Sequence, residues 1–237
     1  AKAFKPEVLV TVGLFTVHRK SHIKETLPIL QESYATTLEV GNLEMAGYSA
    51  QNFCLNAFWC GQRLDTLEQE ARAYCNGLVQ FKQLTAANWC RIHWQSTLNL
   101  LGVEESPSLL SGAALCESEF LTVLLEANNL FGLFFFYLYK LTLCYLFGEI
   151  ASAKNHAVEV SRYLLSATGT VGEPAFYLYD SLSVLAVLSL ESEETSEIFK
   201  KVEQNQTKLQ QYWAHYAPMN HQHKVDLVEA EKCRVLG

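Results

Sequence analysis

Apolar helical segments of this sequence end at nearly regular intervals, near Val17, Cys60, Leu101, Phe147, Leu190 and Leu236. The successive ends are 43, 41, 46, 43 and 46 residues apart. A period of this length, with two helices in each unit, is typical of helical repeat proteins, in which neighbouring hairpins bury one another's apolar faces. The period therefore predicts an all-α fold.

Glycine follows four of these helix ends, at Gly61, Gly102, Gly148 and Gly237. Glycine suits this position because it adopts the left-handed backbone conformation that closes a helix, without the steric cost of a Cβ atom. Amphipathic helices lie between the apolar ones, and the clearest has apolar residues spaced by three and four positions. These residues are Leu64, Leu67, Ala71, Tyr74, Leu78 and Phe81.

The more uniformly apolar helices cover residues 43–60, 86–101, 130–147, 175–190 and 225–236. We predict about eleven helices, roughly six inner and five outer, in one domain over residues 1–237. The turn Phe147–Ala153 (FGEIASA) resembles that of a tetratricopeptide repeat, although the period is longer than the usual 34 residues by about 10. The expected architecture is an α-solenoid of about five to six long tetratricopeptide-like hairpins in a right-handed superhelix.

The charge and cysteine content of the chain exclude some classes of function and of fold. The chain has 18 Lys and Arg residues against 25 Asp and Glu, a formal net charge of −7. This balance argues against a nucleic-acid partner, which requires a basic face that neutralises phosphates. The seven cysteines lie mostly within apolar helical patterns, as buried, reduced thiols do. We therefore expect a cytoplasmic protein without a disulfide framework.

Residues 130–147 have nearly the length of a membrane span, with Lys140 as their one charged residue. The central position of Lys140 and the lack of a basic flank favour a buried helix and no membrane contact. The connection Ala167–Pro174, with two glycines and a proline, is predicted to be the longest and most flexible. Pro107 and Pro218 are each placed to open a helix.

Several strings resemble the helical repeat region of large bacterial signalling kinases, including cyanobacterial ones. They include FTVHRKSHIKETLPIL, LEVGNLEMAGYSAQNFC, LCYLFGEIASA and WAHYAPMNHQHKVDLVEAEKCRVLG. The resemblance covers nearly the whole chain and is weakest over Gly102–Cys116. It implies a fragment of a longer protein with a serine/threonine kinase domain, an AAA/STAND-type ATPase module, a GAF sensor and often a histidine kinase. These neighbouring domains would be its partners.

No nucleotide-binding or phosphotransfer motif occurs in the sequence: there is no GxxxxGK[ST], HRD or DFG string. The resemblance therefore implies a non-catalytic module that needs no cofactor and that mediates interactions and relays a signal. Its mechanism would be a population shift, in which a ligand or partner favours one conformation of the array. The apolar faces at the two ends of such an array predict end-to-end self-association.

A metal-dependent helical enzyme is the weaker alternative. Cys90 and His93 lie on one helical face but supply only two ligands, whereas His221 and His223 diverge on a helix. The acid pairs Glu104–Glu105 and Glu193–Glu194 lie in polar stretches, where solvated charges are expected rather than a general acid. We expect no catalytic residue and no metal ligand.

Aromatic residues occur on all sides of the helix predicted at 130–147, which indicates a core helix or a concave aromatic surface. Such a surface could bind a peptide, a protein or a small apolar ligand, so a ligand-binding module with an aromatic-lined cavity remains a second hypothesis. The candidate interaction residues are Arg91, His93, Trp94, Tyr137, Asn220, His221 and His223.

Overall fold

The computed structural model describes residues 4–186, 188 and 195–237. All regular elements of this described part are helical, which confirms the all-α prediction. It contains eleven α-helices: α1 (Lys5–Thr11), α2 (Thr26–Val40), α3 (Leu43–Trp59), α4 (Leu64–Gln80), α5 (Leu84–Leu100), α6 (Glu117–Glu126), α7 (Leu130–Leu146), α8 (Ile150–Tyr163), α9 (Gly172–Leu185), α10 (Thr195–Leu209) and α11 (Pro218–Leu236).

Short 3₁₀ and π segments extend or connect these helices. After α1 the chain continues through a π-helix, Val12–Thr16, and 3₁₀ turns at Val17–Arg19 and Ile23–Glu25. The 3₁₀ turn Leu164–Ala167 extends α8, and the π-helix Gln210–Ala214 extends α10. Part of the inner helix predicted at 175–190, and the pair Glu193–Glu194, lie outside the described residues.

The predicted glycine turns are confirmed by the backbone. Gly61, Gly102, Gly148 and Gly237 all have a positive φ, between 73° and 88°. Two further helices, α4 and α6, end in the same way without glycine, because Lys82 and Asn128 adopt φ values of 58° and 47°. Glycine is the one residue that reliably indicates a left-handed helix end in a sequence. The sequence therefore indicated the ends of α4 and α6 less clearly.

The helices pack against their neighbours in the chain and against more distant ones. Successive helices form hairpins, α2 with α3, α4 with α5, α7 with α8 and α9 with α10, and four further contacts join α3 with α5, α5 with α7, α7 with α9 and α9 with α11. Helices α3 and α5 approach closely at Gly47, where a Cβ atom would lie 2.7 Å from the Cβ of Ala86. The helices α3, α5, α7, α9 and α11, which correspond to the predicted apolar segments, are thus in contact one after the other.

Helix α7 is the central helix of the core, as predicted. Twelve of its 17 residues are buried, and its Phe134, Phe135 and Phe136 are each at most 1% exposed. Its one charged residue, Lys140, forms an ion pair with Glu117 at 2.8 Å and donates to the carbonyl oxygen of Ser108 at 2.9 Å. Among the described residues, no helix combines the length and apolarity that crossing a bilayer requires.

The prediction for the longest connection is wrong. Gly172 and Pro174 lie in the first turn of α9, so the segment before α9 is short. The longest connection between described helices covers residues 101–116, where Asn99 Nδ2 donates to the carbonyl oxygens of Pro107 and Leu109 at 3.0 and 2.6 Å. Pro107 therefore opens no helix, whereas Pro218 begins α11 as predicted.

Candidate functional site

The first and last parts of the chain meet at a junction formed by Asn220 of α11. Its Oδ1 accepts a hydrogen bond from the backbone N–H of Ile23 at 3.0 Å. Its Nδ2 donates to the carbonyl oxygens of His18 and Ser21 at 2.9 and 2.8 Å. One buried amide thus pairs with three backbone groups of residues 18–23, and it holds this segment against the start of α11.

Aromatic and cationic groups complete the junction around Trp213. The ring of His18 stacks on Trp213 with 6.0 Å between ring centroids, and His221 meets the same indole edge-on at 5.2 Å. Arg19 lies over the Trp213 ring at 3.6 Å and donates to the carbonyl oxygen of Tyr212 at 2.8 Å. A guanidinium over an indole face is an attractive cation–π contact, so it stabilises the junction.

Both junction histidines are buried without a polar partner. Neither ring nitrogen of His18 or His221 has a hydrogen-bond partner among the described residues. Burial and then the charge of Arg19 lower the pKa of His18 to about 4. Burial and then the charge of Lys224 lower the pKa of His221 to about 2. At neutral pH both rings are therefore uncharged.

Lys224 contacts two other polar groups at the start of α11. The ammonium of Lys224 donates to the carbonyl oxygen of Asn220 at 2.7 Å and lies 3.2 Å from Nε2 of His223. Burial lowers the pKa of Lys224 to about 8. Unlike His221, His223 is exposed, so the two histidines diverge around the helix as predicted.

His93 lies in the core between α5 and α7 rather than on a surface. It is fully buried on α5, and its Nδ1 is 2.8 Å from the hydroxyl of Tyr139 on α7. Phe58 and Trp59 of α3 contact the same tyrosine ring, with centroid distances of 4.7 and 5.9 Å. Burial lowers the pKa of His93 to about 3, so this ring is also neutral.

The other three candidate residues lie at three separate places. Arg91 lines a groove of about 380 Å³ between α5 and α6, together with Cys116 and Glu119. Trp94 donates its indole N–H to Glu68 of α4 at 3.1 Å. Tyr137 faces the outer helix α8, where its ring lies parallel to that of Tyr163.

The seven candidates therefore do not form one groove. Asn220 and His221 share the junction, whereas His223 is exposed beside Lys224. The other four lie in the core, in a surface groove and at two contacts between helices. Participation of any of them in binding a partner stays a prediction.

Cys90 and His93 do not converge on a common point. The thiol of Cys90 faces Cys54 and Cys75, and its pKa is raised well above the usual value, first by burial and then by these two thiols. A thiol that stays protonated is a poor metal ligand. Across the described residues, no three His, Cys, Asp or Glu side chains are placed to hold a metal ion.

An aromatic-walled cavity of about 210 Å³ opens beside the first halves of α3, α5 and α7. Its lining residues are Leu14, Tyr48, Gln51, Asn52, Trp89 and Phe131. The Trp89 ring packs against Phe131 at 5.0 Å and against Tyr48 at 6.1 Å. The indole N–H of Trp89 donates to Asn129 Oδ1 at 3.1 Å, so the orientation of this wall is set.

The polar residues of this cavity, Gln51 and Asn52, are each 1% exposed. Asn52 Nδ2 donates to the carbonyl oxygen of Tyr48 at 2.9 Å, which leaves Asn52 Oδ1 without a partner. Gln51 Nε2 also lacks a partner among the described residues. Sequence reasoning missed both residues, although an adjacent Gln–Asn pair within a helix predicted to be buried was the available signal.

Comparison with known protein families, with curated proteins and with solved structures found no match to this chain.

Proposed function

We propose that this chain is a non-catalytic helical-repeat module that binds a partner or ligand and relays its presence to neighbouring domains. One observation carries the proposal: a single segment, residues 12–25, reaches both the aromatic cavity and the last helix. Leu14 of this segment lines the cavity, and Ile23 donates to Asn220 of α11. A change at the cavity therefore has a short physical route to the junction between the two ends of the array.

The repeat architecture belongs to the same proposal. Contacts of each inner helix with the next inner helix, together with hairpin contacts within each pair, favour an α-solenoid of long tetratricopeptide-like hairpins. A right-handed superhelix is the usual form of such an array. In this chain the junction at Asn220 adds contacts between its first and last units. These contacts would limit how far the superhelix opens.

The relay would work by a population shift between a closed and an open junction. The closed junction depends on a few groups, chiefly the three hydrogen bonds of Asn220 and the contact of Arg19 with Trp213. A ligand or partner that binds one state more tightly would shift the population towards it. Following the resemblance, the receiving domains would be the ATPase, kinase and sensor domains of a cytoplasmic parent chain.

The test compares Asn220→Ala with Gln222→Ala in the longer protein that the resemblance implies. Gln222 is on the same helix, and among the described residues its side chain bonds to Asp226 of that helix alone. We expect Asn220→Ala to change ATP hydrolysis or phosphotransfer about fivefold or more, the usual lower range of allosteric coupling. Equal activities of the two variants would contradict the relay. ATP turnover by the purified 237-residue chain itself would contradict its non-catalytic nature.

The second hypothesis, a ligand-binding module with an aromatic-lined cavity, is favoured by the cavity beside Trp89. Its walls include the aromatic rings of Tyr48, Trp89 and Phe131. Binding of a small ligand there is compatible with a relay, because the ligand would be the signal. Mass spectrometry of the purified protein under native conditions tests this hypothesis, and we expect a co-purified small molecule that denaturation releases.

A further inference from the structure

A surface groove of about 370 Å³ lies between the first two turns of α3 and the start of α5, next to the aromatic-walled cavity. Its lining residues are Glu44, Tyr48, Gln83, Thr85, Ala86 and Trp89. We propose that this groove binds a guanidinium group, carried either by an arginine side chain or by a free guanidino compound. Such binding goes beyond the proposed relay and does not depend on it, since it concerns only what the groove accepts.

A carboxylate without an ion pair gives the groove its charge. Glu44, in the first turn of α3, is exposed and forms no salt bridge with any described residue. Its Oε1 accepts one long hydrogen bond, from the Tyr48 hydroxyl at 3.4 Å. None of the described residues that line the groove is a lysine or an arginine. The groove therefore attracts a cation and repels an anion.

Two aromatic rings favour an organic cation over a metal ion. The ring centroids of Tyr48 and Trp89 are 6.1 Å apart, and the ring planes are 27° from parallel. The bond from the Trp89 indole to Asn129 fixes the orientation of this ring. A cation within about 6 Å of an aromatic ring is attracted by the negative charge of its face. A calcium or magnesium ion takes about six or more oxygen ligands, which a single carboxylate does not supply.

Accessible hydrogen-bond acceptors favour a guanidinium among the organic cations. The side chains of Gln83 and Thr85 form no hydrogen bond in the described part of the chain, and neither residue is buried. Together with Glu44 they provide acceptor oxygens along the groove. A guanidinium has several N–H donors in one plane, is weakly hydrated and stacks on aromatic rings. A quaternary ammonium has no N–H donor, and a primary ammonium is more strongly hydrated.

The experiment titrates the 237-residue chain with methylguanidine, with its neutral analogue methylurea and with tetramethylammonium. The readout is the ¹⁵N–¹H NMR signal of the Trp89 indole, identified by its loss in Trp89→Phe. We expect methylguanidine to bind in the millimolar range, about tenfold more tightly than methylurea and about threefold more tightly than tetramethylammonium. Failure of methylguanidine to bind, or an equal or higher affinity for either of the other probes, would overturn the proposal.

A fourth probe, the tripeptide Gly-Arg-Gly blocked at both ends, distinguishes the two sources of the guanidinium. An affinity about tenfold higher than that of methylguanidine would support an arginine side chain of a partner, because the peptide backbone would then add contacts along the groove. An equal or lower affinity would support a free guanidino compound.

A charge-neutralising variant tests the role of the carboxylate. Glu44→Gln keeps the shape of the side chain, and we expect methylguanidine to bind about fivefold more weakly while methylurea binds as before. Glu105→Gln is the matched control, because Glu105 is also exposed and also forms no salt bridge with a described residue. It follows the end of α5, whereas the groove lies at the start of that helix. Equal weakening in both variants would overturn the proposal.

Two substitutions of Tyr48 test the role of the ring. Tyr48→Phe keeps the ring, and we expect methylguanidine to bind within about twofold of the unmodified chain. Tyr48→Leu removes the ring and should weaken binding about threefold or more. A cooperative thermal transition of each variant shows that the fold is retained. Equal affinities of the two folded variants would overturn the contribution of the ring and with it the proposal.

Discussion

Asn220 Nδ2 donates to the carbonyl oxygen of His18 at 2.9 Å, across 202 positions of the chain. This bond and the two other hydrogen bonds of Asn220 join residues 18–23 to the start of α11 by side-chain-to-backbone contacts within a buried site. Hydrogen bonds of this kind stabilise a structure modestly when made, but they are costly to leave unmade. A single substitution at the junction is therefore expected to affect both residues 18–23 and the start of α11.

Asn220→Ala is expected to lower the free energy of unfolding by about 2–4 kcal/mol, because it leaves buried backbone groups of residues 18–23 without partners. Urea unfolding measures the loss. Hydrogen exchange provides a local readout, since the amide of Ile23 should lose its protection. Gln222→Ala is the control and should change stability by less than about 0.5 kcal/mol. Unchanged exchange at Ile23 would contradict this account of the junction.

Stability is expected to fall as the pH decreases from about 6.5, because the unfolded chain takes up protons at its histidines before the folded chain does. The pKa of His18 is lowered by burial to about 4 and that of His93 to about 3. Each buried histidine lowers the free energy of unfolding by up to about 1.4 kcal/mol per pH unit as the pH falls from 6.5 to its folded pKa. Its contribution is complete above pH 6.5 and is lost as the pH falls towards the folded pKa.

His18→Phe provides the matching variant. It keeps a ring against Trp213 and removes the titrating group, so the dependence of stability on pH between 4 and 6.5 should become less steep. Urea unfolding at pH 7, 6 and 5 measures the slope. If the slope of the variant equalled that of the unmodified chain, His18 would not be the buried titrating group described above.

Lys140→Met is expected to destabilise the fold by about 2–4 kcal/mol, because it leaves Glu117 without its cation in a largely buried position. The double variant Lys140→Met/Glu117→Gln should lose less than the sum of the single losses, since it leaves no unpaired charge. Thermal unfolding measures the cycle. The exposed pair of Lys5 with Glu32 is the control, and Lys5→Met should cost less than about 1 kcal/mol. Additive effects at Lys140 and Glu117 would contradict a coupled pair.

Self-association is expected to depend on α1 and on Phe4 just before it, because Phe4 and Val8 are 68% and 57% exposed. Light scattering over a range of concentrations should show a rising mass for the unmodified chain. Val8→Glu should prevent this rise, because a charge disfavours burial of the apolar face. Val158→Glu is the matched control, since Val158 on α8 is 52% exposed but far along the chain from α1. A constant monomeric mass of the unmodified chain would contradict the prediction.

Structural features that depend on a few consecutive residues could be predicted from the sequence. Gly61, Gly102 and Gly148 end helices where the sequence indicated, because a left-handed helix end is a property of a few consecutive residues. The burial of α7 also followed from its own apolar composition. The connection at 101–116 was missed because its order depends on bonds from Gln95 and Asn99 of α5, which no local pattern reveals.

The candidate interaction residues were chosen for their chemistry, and in the fold they lie at several separate places. His93 was a candidate as a polar residue on an inner helix, yet it is buried against Tyr139, whereas Gln51 and Asn52 at the cavity were not singled out. Which face of an inner helix borders a cavity depends on the packing of three helices and the segment 12–16.

The sequence alone determined that the chain is all-helical, that its helices alternate between apolar and amphipathic, and where many of them end. Periodicity and helix capping depend on residues that are close together in the sequence, so they can be recognised without knowledge of tertiary contacts. Only the tertiary structure decided that Asn220 meets His18, that Lys140 pairs with Glu117, and that an aromatic cavity lies beside Trp89. These features depend on contacts between residues distant in sequence, and side-chain packing alone determines which of the many possible contacts form.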